Sequence, residues 1–122
     1  MIPVLISSAG RRGALVQTFR MAGAVVHGCD MQPDLSSGCL LADQAHQVPR
    51  CSAPDFIDRI EEIVRGNGIR LIVPTIDTEL PTYAEAAPRL AAAGAYVHVS
   101  PPEVIAVVRD KTRTMAVLAA AG

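Results

Sequence analysis

The amino-acid sequence predicts an α/β domain, a three-layer, doubly wound parallel sheet of about five strands with helices on both faces. Two observations favour this fold. Short apolar runs, typical of strands buried on both faces, alternate along the chain with segments of helical periodicity. In addition, 50% of the 122 residues are hydrophobic, which is enough for the core of one domain. Strands joined by helices in this way are expected to form right-handed crossovers.

The first half of the chain contains three predicted strands. Residues 3–7 form a mostly apolar run, and the turn at 8–13 leads into a helix with Val16 and Phe19 on one side. Gly23 stands where a helix commonly ends. The predictions that follow are a second strand at 24–29, a weakly helical segment at 34–42 and a short strand at 45–49.

The second half continues the alternation. Residues 52–55 fit a capping box, and apolar residues from Phe56 to Val64 recur at helical spacing. The later predictions are a strand at 69–74, a helix at 78–93 that breaks or restarts at Pro88, a strand at 95–99, a capping box at 100–103 with a short helix to Val108, and a last helix at 111–121. The predicted boundary separates the sheet domain, residues 1–109, from residues 110–122, which lead out of it.

Charge and composition exclude several classes of protein. The 11 basic and 12 acidic residues give a net charge of −1, so no basic surface for nucleic acid is expected. No apolar run approaches the roughly 20 residues of a membrane span, and the first residues lack the positive charge of a signal peptide. Cys29, Cys39 and Cys51 form no CxxC pair, which disfavours a disulfide framework or a zinc site. We therefore expect a cytoplasmic protein with reduced thiols.

Ligands of open α/β sheets bind at the carboxyl ends of the strands. Four predicted loops lie at this edge, and small or polar residues dominate each of them: 8–13, 30–33, 75–79 and 100–102. The sequence contains no Ser-His-Asp arrangement, metal-ligand cluster or P-loop pattern. The chain is therefore expected to carry neither catalytic residues nor a metal site of its own.

The first of these loops partly matches the fingerprint of dinucleotide-binding proteins. That fingerprint is Gly-x-Gly-x-x-Gly, and here Ser8 replaces the first glycine while the other two are retained, beginning with Gly10. Asp30 follows Gly10 at the distance, about 20 residues, where an acidic residue would hold a ribose hydroxyl. Arg11 and Arg12 are bulky where the pyrophosphate would approach. A stand-alone NAD(P)-binding module is therefore an alternative rather than the leading hypothesis.

The charged residues of the loops have two interpretations each. Asp77 and Glu79 follow the fourth predicted strand, and they either cap the next helix or form a wall of a substrate pocket. Arg11 and Arg12 are either solvated or hold an anionic substrate group near the start of the first helix.

Five segments carry a more specific pattern when they are taken together. They are Val4-Leu-Ile-Ser-Ser-Ala-Gly-Arg-Arg12, Gly28-Cys-Asp30, Val73-Pro-Thr-Ile-Asp-Thr-Glu-Leu-Pro81, Ser100-Pro-Pro-Glu103 and Asp110-Lys111-Thr112. This pattern resembles the start of the ATP-grasp ligases, in particular the group of the carbamoyl-phosphate synthase large subunit. The resemblance extends over essentially the whole chain, and it implies a Rossmann-like pre-ATP-grasp domain followed by the helix that leads into the nucleotide-binding lobes.

The resemblance also implies what the full-length protein does. In such ligases ATP, with Mg²⁺, phosphorylates a carboxylate, and an amine or ammonia then displaces the phosphate. Lys111, the only lysine, corresponds to a basic residue that contacts ATP. The loops of Gly10 and Asp30 correspond to the side of the acceptor substrate. Further substrate-side candidates, which match the pattern without an assigned ligand, are Arg11, Arg12, Asp77 and Glu79.

The lobes that clamp ATP and hold Mg²⁺ have no counterpart in these 122 residues. We therefore expect the N-terminal piece of a larger ligase, with the lobes as its partner, no tightly bound cofactor and no activity when isolated. A third hypothesis, besides the dinucleotide module, is a non-catalytic domain that pairs subunits, as in a homodimer.

Overall fold

The structure is a computed structural model, and it describes residues 2–10 and 12–98. Five parallel strands form one sheet in the order β3-β2-β1-β4-β5. The strands are β1 (Pro3–Ser7), β2 (Val25–Asp30), β3 (Gln44–Gln47), β4 (Leu71–Pro74) and β5 (Tyr96–Val97). The helices are α1 (Gly13–Met21), α2 (Ser37–Leu41), α3 (Phe56–Asn67) and α4 (Leu80–Ala92), with short 3₁₀ helices at Pro33–Leu35 and Asp77–Glu79.

Two apolar layers cover the two faces of the sheet. Alternate residues of a strand point to opposite faces, so Val4 and Ile6 pack with α1 and α2 while Leu5 packs with α3 and α4. The strand order reverses between β1 and β4, because the connections after β1 run one way and those after β3 run the other. Such a reversal opens a crevice between the two diverging loops. The predicted doubly wound α/β fold is confirmed.

The start of α3 differs from the prediction. Residues 52–55 form turns rather than a capping box, and the helix begins at Phe56. Asp55 occupies the position before the helix and makes no side-chain capping bond. The backbone N–H of Phe56 donates instead to the carbonyl of Ala53 at 3.1 Å. A backbone carbonyl thus accepts the N–H group at the start of α3, for which the sequence pattern predicted a side-chain acceptor.

The predicted break at Pro88 is also wrong. Helix α4 runs without interruption through this proline. Pro88 itself is exposed, whereas Tyr83 and Leu90 are fully buried on either side of it. Packing of the buried face therefore outweighs the backbone hydrogen bond that a proline removes.

Two further observations complete the fold. The weakly helical segment predicted at 34–42 is a 3₁₀ turn followed by α2, and the hydroxyl of Ser36 caps α2 by accepting from the N–H of Cys39 at 3.0 Å. Of the described helices, none is both long and apolar enough to cross a lipid bilayer. The helices predicted at 103–108 and 111–121, and the boundary between residues 109 and 110, lie outside the described residues.

Candidate functional site

A cleft of about 730 Å³ opens at the edge where β1 to β4 end. Its size falls in the range of small-molecule sites. The lining residues lie in the loops after the four strands, except Asp30, the last residue of β2, and Phe56, the first residue of α3. They are Ser8, Gly10, Arg12, Asp30, Met31, Val48, Pro49, Arg50, Cys51, Phe56, Ile76 and Thr78.

The β1–α1 turn has an unusual backbone. Ser8 adopts a left-handed conformation with φ of 53°, and Gly10 also has a positive φ of 29°. The turn is closed by the N–H of Arg12, which donates to the carbonyl of Ala9 at 2.7 Å. Gly38 of α2 lies so close that a Cβ there would be 2.4 Å from the Ala9 carbonyl oxygen. The turn therefore packs directly against the backbone of α2, and only glycine fits at position 38.

Asp30 joins the first two loops of the cleft. One carboxylate oxygen accepts the N–H of Gly10 at 3.0 Å, and the other accepts the N–H of Gln32 at 3.1 Å. The hydroxyls of Ser36 and Ser37 donate to the carbonyl of Gly10 at 3.0 and 3.2 Å. The spacing between Gly10 and Asp30, which suggested a ribose ligand, thus accompanies a hydrogen bond between these two residues. Because both oxygens of Asp30 already accept protein N–H groups, the arrangement does not favour the dinucleotide alternative.

Glu79 is fully buried beneath the cleft and is not among its lining residues. One carboxylate oxygen accepts the N–H of Thr75 at 2.9 Å, and the other accepts from the hydroxyls of Ser7, at 3.2 Å, and Ser8. The side chain makes no capping bond to α4. The structure therefore places Glu79 as a link between the β1 and β4 loops. Asp77 is exposed, and it does not line the cleft.

Burial raises the pKa of Glu79, and the hydrogen bonds from Ser8, Thr75 and Ser7 oppose that rise. The phenol of Tyr83, also fully buried, lies 2.6 Å from the Ser7 hydroxyl and extends the network. Burial likewise raises the pKa of the Cys29 thiol to about 12, which keeps this cysteine protonated and unreactive. The network is structural in character, because each buried polar group in it is satisfied by another.

Arginines provide the positive charge of the cleft. Arg12 lines it, and its Nη2 donates to the carbonyl of Thr75 at 3.2 Å. Arg50 also lines it, in the loop between β3 and α3. Arg50 and its neighbour Cys51 were not among the residues predicted from the sequence, although both follow the end of a predicted strand. The rule that ligands bind at strand ends, applied to the third strand as well, would have found them.

The other candidates are only partly placed. The loops after β1, β2 and β4 meet at one edge, as the sequence predicted. Arg11, Lys111 and the loop at 100–102 lie outside the described residues. Within the described part of the chain, no three His, Cys, Asp or Glu side chains are grouped closely enough to hold a metal ion.

Residues 4–98 match a protein-family model described as the PylC-like N-terminal domain. No curated protein matches the chain. Among solved structures, the N5-carboxyaminoimidazole ribonucleotide synthetase of Thermotoga maritima is similar with a TM-score of 0.67 and 19% identity. The biotin carboxylase subunit of pyruvate carboxylase is similar with a TM-score of 0.68 and 20% identity. A single-chain, multi-domain long-chain acyl-CoA carboxylase is similar with a TM-score of 0.65 and 22% identity.

The shares of the chains that these similarities cover are unequal. In the order just given, the three similarities cover 100%, 100% and 93% of this chain, but only 31%, 28% and 12% of the three larger chains. At these identities the likeness concerns the fold alone. This chain therefore corresponds to less than a third of each of those proteins.

Proposed function

The chain belongs to the family of PylC-like N-terminal domains, and from this premise we propose that it is the acceptor-binding domain of an ATP-dependent ligase. The family match confirms the resemblance to the start of ATP-grasp enzymes. It gives no particular support to the carbamoyl-phosphate synthase group, nor to the NAD(P) alternative. The similar structures carry the names of one synthetase and two carboxylases, which agrees with a ligase.

The cleft is the observation that carries this proposal. It lies at the switch point of the sheet, where open α/β folds bind their ligands. Two separate links, one through Asp30 and one through Glu79, hold three of its loops in fixed relation. Such preorganisation is what a site needs if it is to hold a small substrate in one orientation.

The proposed reaction has two steps. A carboxylate oxygen of one substrate attacks the γ-phosphorus of ATP, giving an acyl phosphate and ADP. The nitrogen of an amine or ammonia then attacks the acyl carbon, and inorganic phosphate leaves. In this proposal the cleft orients the acceptor substrate, and further lobes bind ATP and Mg²⁺. Lys111 would contribute one edge of the nucleotide site, and the free thiols agree with a cytoplasmic location.

Kinetics on the full-length protein that contains this domain test the proposal. We expect ADP formation that depends on a carboxylate substrate, and hydroxylamine should trap the acyl phosphate as a hydroxamate. The isolated 122-residue chain should not hydrolyse ATP. Absence of ADP formation with a broad panel of carboxylates and amines would contradict the ligase assignment. Calorimetry with NAD(H) and NADP(H) tests the alternative, and binding in the micromolar range would reverse the ranking.

A further inference from the structure

The cleft gathers positive charge that is not paired within the described part of the chain. Seven arginines lie in that part, and four form ion pairs with carboxylates, namely Arg20, Arg59, Arg65 and Arg89. Of the other three, Arg12 and Arg50 line the cleft, and Arg70 lies just before β4 at the opposite edge of the sheet. We infer that Arg12 and Arg50 together bind an oxyanion of the acceptor substrate and that the apolar wall beside them holds its aliphatic part. This inference rests on the proposed function of the cleft.

Asp30 is the one carboxylate among the described lining residues, and it does not neutralise these arginines. Asp30 accepts backbone N–H groups with both oxygens, from Gly10 and from Gln32, and it forms no ion pair with Arg12 or Arg50. Two guanidinium groups therefore face one carboxylate that already has hydrogen-bond donors. Among the described residues that line the cleft, the two arginines exceed the carboxylates by one positive charge, which favours an anionic ligand.

The two arginines come from different loops, Arg12 from the β1–α1 turn and Arg50 from the loop between β3 and α3. The side chain of Arg12 leaves the β1–α1 turn, and its guanidinium donates to the Thr75 carbonyl in the loop after β4. Arg50 stands in a turn that the N–H of Ala53 closes by donating to the Arg50 carbonyl at 2.9 Å. A guanidinium has five N–H donors, so Arg12 retains donors after its contact with Thr75. Planar donor groups of this kind match carboxylate and phosphate oxygens.

The remaining lining is mostly apolar. Val48 and Phe56 form the buried floor, and the exposed side chains of Met31 and Ile76 stand at its rim. An inorganic anion would leave this surface without a partner. A ligand with an oxyanion at one end and an aliphatic chain at the other satisfies both parts of the cleft.

Amide-resolved NMR titration of the 122-residue chain at constant ionic strength tests the inference. The probes are hexanoate, hexyl phosphate, inorganic phosphate and the uncharged hexanamide. We expect hexanoate or hexyl phosphate to shift the amide signals of Ser8, Gly10 and Arg50 in a saturable manner, and the tighter of the two identifies the type of oxyanion. Hexanamide and inorganic phosphate should each bind at least about 10-fold more weakly, because each satisfies only one part of the cleft.

Substitutions separate the arginine pair from general charge effects. Arg12→Gln and Arg50→Gln should each weaken binding of the better probe by about 10-fold or more, whereas Arg70→Gln, the matched control, should leave it unchanged. An unchanged amide spectrum away from the cleft verifies folding. Equal binding of hexanamide, or unchanged binding in both cleft variants, overturns the inference. If the full-length protein forms ADP with a carboxylate while no probe binds, only this inference fails; probe binding without ADP formation removes only the ligase proposal.

Discussion

The carboxylate of Glu79 accepts a hydrogen bond from the hydroxyl of Ser8, 71 positions earlier in the chain. Ser8 has a left-handed backbone and lines the cleft, whereas Glu79 is fully buried. The other oxygen of Glu79 accepts the N–H of Thr75, at the start of the β4 loop. Glu79 thus holds in place two loops at the edge of the cleft, although its own side chain does not line the cleft.

Replacing Glu79 should reveal this role as a loss of stability. Glu79→Ala leaves the Thr75 N–H and two hydroxyls without their acceptor and opens a cavity, so we expect the free energy of unfolding to fall by about 3 kcal/mol. Glu79→Gln keeps one acceptor and the side-chain volume, so it should cost less than about 1 kcal/mol. Urea unfolding of the three proteins checks this order. Equal stability of Glu79→Ala and the wild type would show that the link is not needed.

A histidine pair should make the fold sensitive to acid. His27 Nδ1 lies 3.0 Å from His46 Nε2, with the rings stacked. Burial lowers the pKa of His27, although the charge of Asp43 opposes this, and burial, His27 and Arg59 lower the pKa of His46. Both histidines therefore bind protons more readily in the unfolded chain, where the ordinary pKa is 6.5. Stability should fall as the pH drops below that value towards the pKa of the folded state.

The variant His46→Gln isolates this effect, because it removes one of the two titrating groups. We expect the loss in free energy of unfolding between about pH 7.5 and about pH 5.5 to be smaller in the variant than in the wild type. Urea unfolding at both pH values is the measurement. The same loss in both proteins would assign the acid sensitivity to other groups.

Close packing at Gly38 predicts a large effect from a single methyl group. A Cβ at this position would lie 2.4 Å from the Ala9 carbonyl oxygen, so Gly38→Ala should destabilise the fold by about 3 kcal/mol. Gly66 in α3 is the matched control, since a Cβ there meets nothing within 4 Å. Gly66→Ala should be neutral or stabilising by up to about 1 kcal/mol, because alanine favours the helix. Thermal unfolding that ranks the two variants in the reverse order would contradict this account.

Lys111 remains a prediction from the sequence. In the full-length protein, Lys111→Ala should raise the Michaelis constant for ATP by about 10-fold, since a charged hydrogen bond to phosphate is lost in an enclosed site. Lys111→Arg should be milder, because the charge is kept. Steady-state ATP kinetics provide the measurement, with circular dichroism as the folding control. Unchanged kinetics in Lys111→Ala would remove this lysine from the nucleotide site.

Strands β1 and β2 were predictable because their burial on both faces of the sheet leaves runs with few charged residues, whereas β3 is largely exposed. Runs such as residues 3–7 contain few polar residues, so the order and type of the elements follow from the pattern of apolar residues along the chain. The continuity of α4 through Pro88 was not predictable in this way, because the packing of Tyr83 and Leu90 that holds α4 together involves residues distant in the chain. Local sequence preferences carry no information about such contacts.

The loops that form the cleft were predictable from the sequence, but the roles of their individual side chains were not. Asp30 and Glu79 were both recognised as residues near the strand ends, yet the sequence could not show that their carboxylates face protein N–H and hydroxyl groups. Whether a charged side chain turns inwards or outwards depends on partners contributed by other loops. Arg50 was missed because the loop after β3 contains no glycine-rich or acidic pattern to draw attention to it.

The two sides of the cleft differ in how firmly they are built. Ser8, Gly10 and Asp30 are held by hydrogen bonds across several loops and by the close approach of Gly38. Most amino-acid substitutions at these positions are therefore expected to destabilise the fold. Pro49, Arg50 and Cys51 contribute to the cleft from a surface loop, with fewer such links among the described residues. Randomising positions 49–51 in a library should therefore give folded proteins with new ligand preferences, whereas the same library at positions 8–10 should give mostly unfolded ones. In this domain, the capacity to evolve a new specificity resides in the loop after β3.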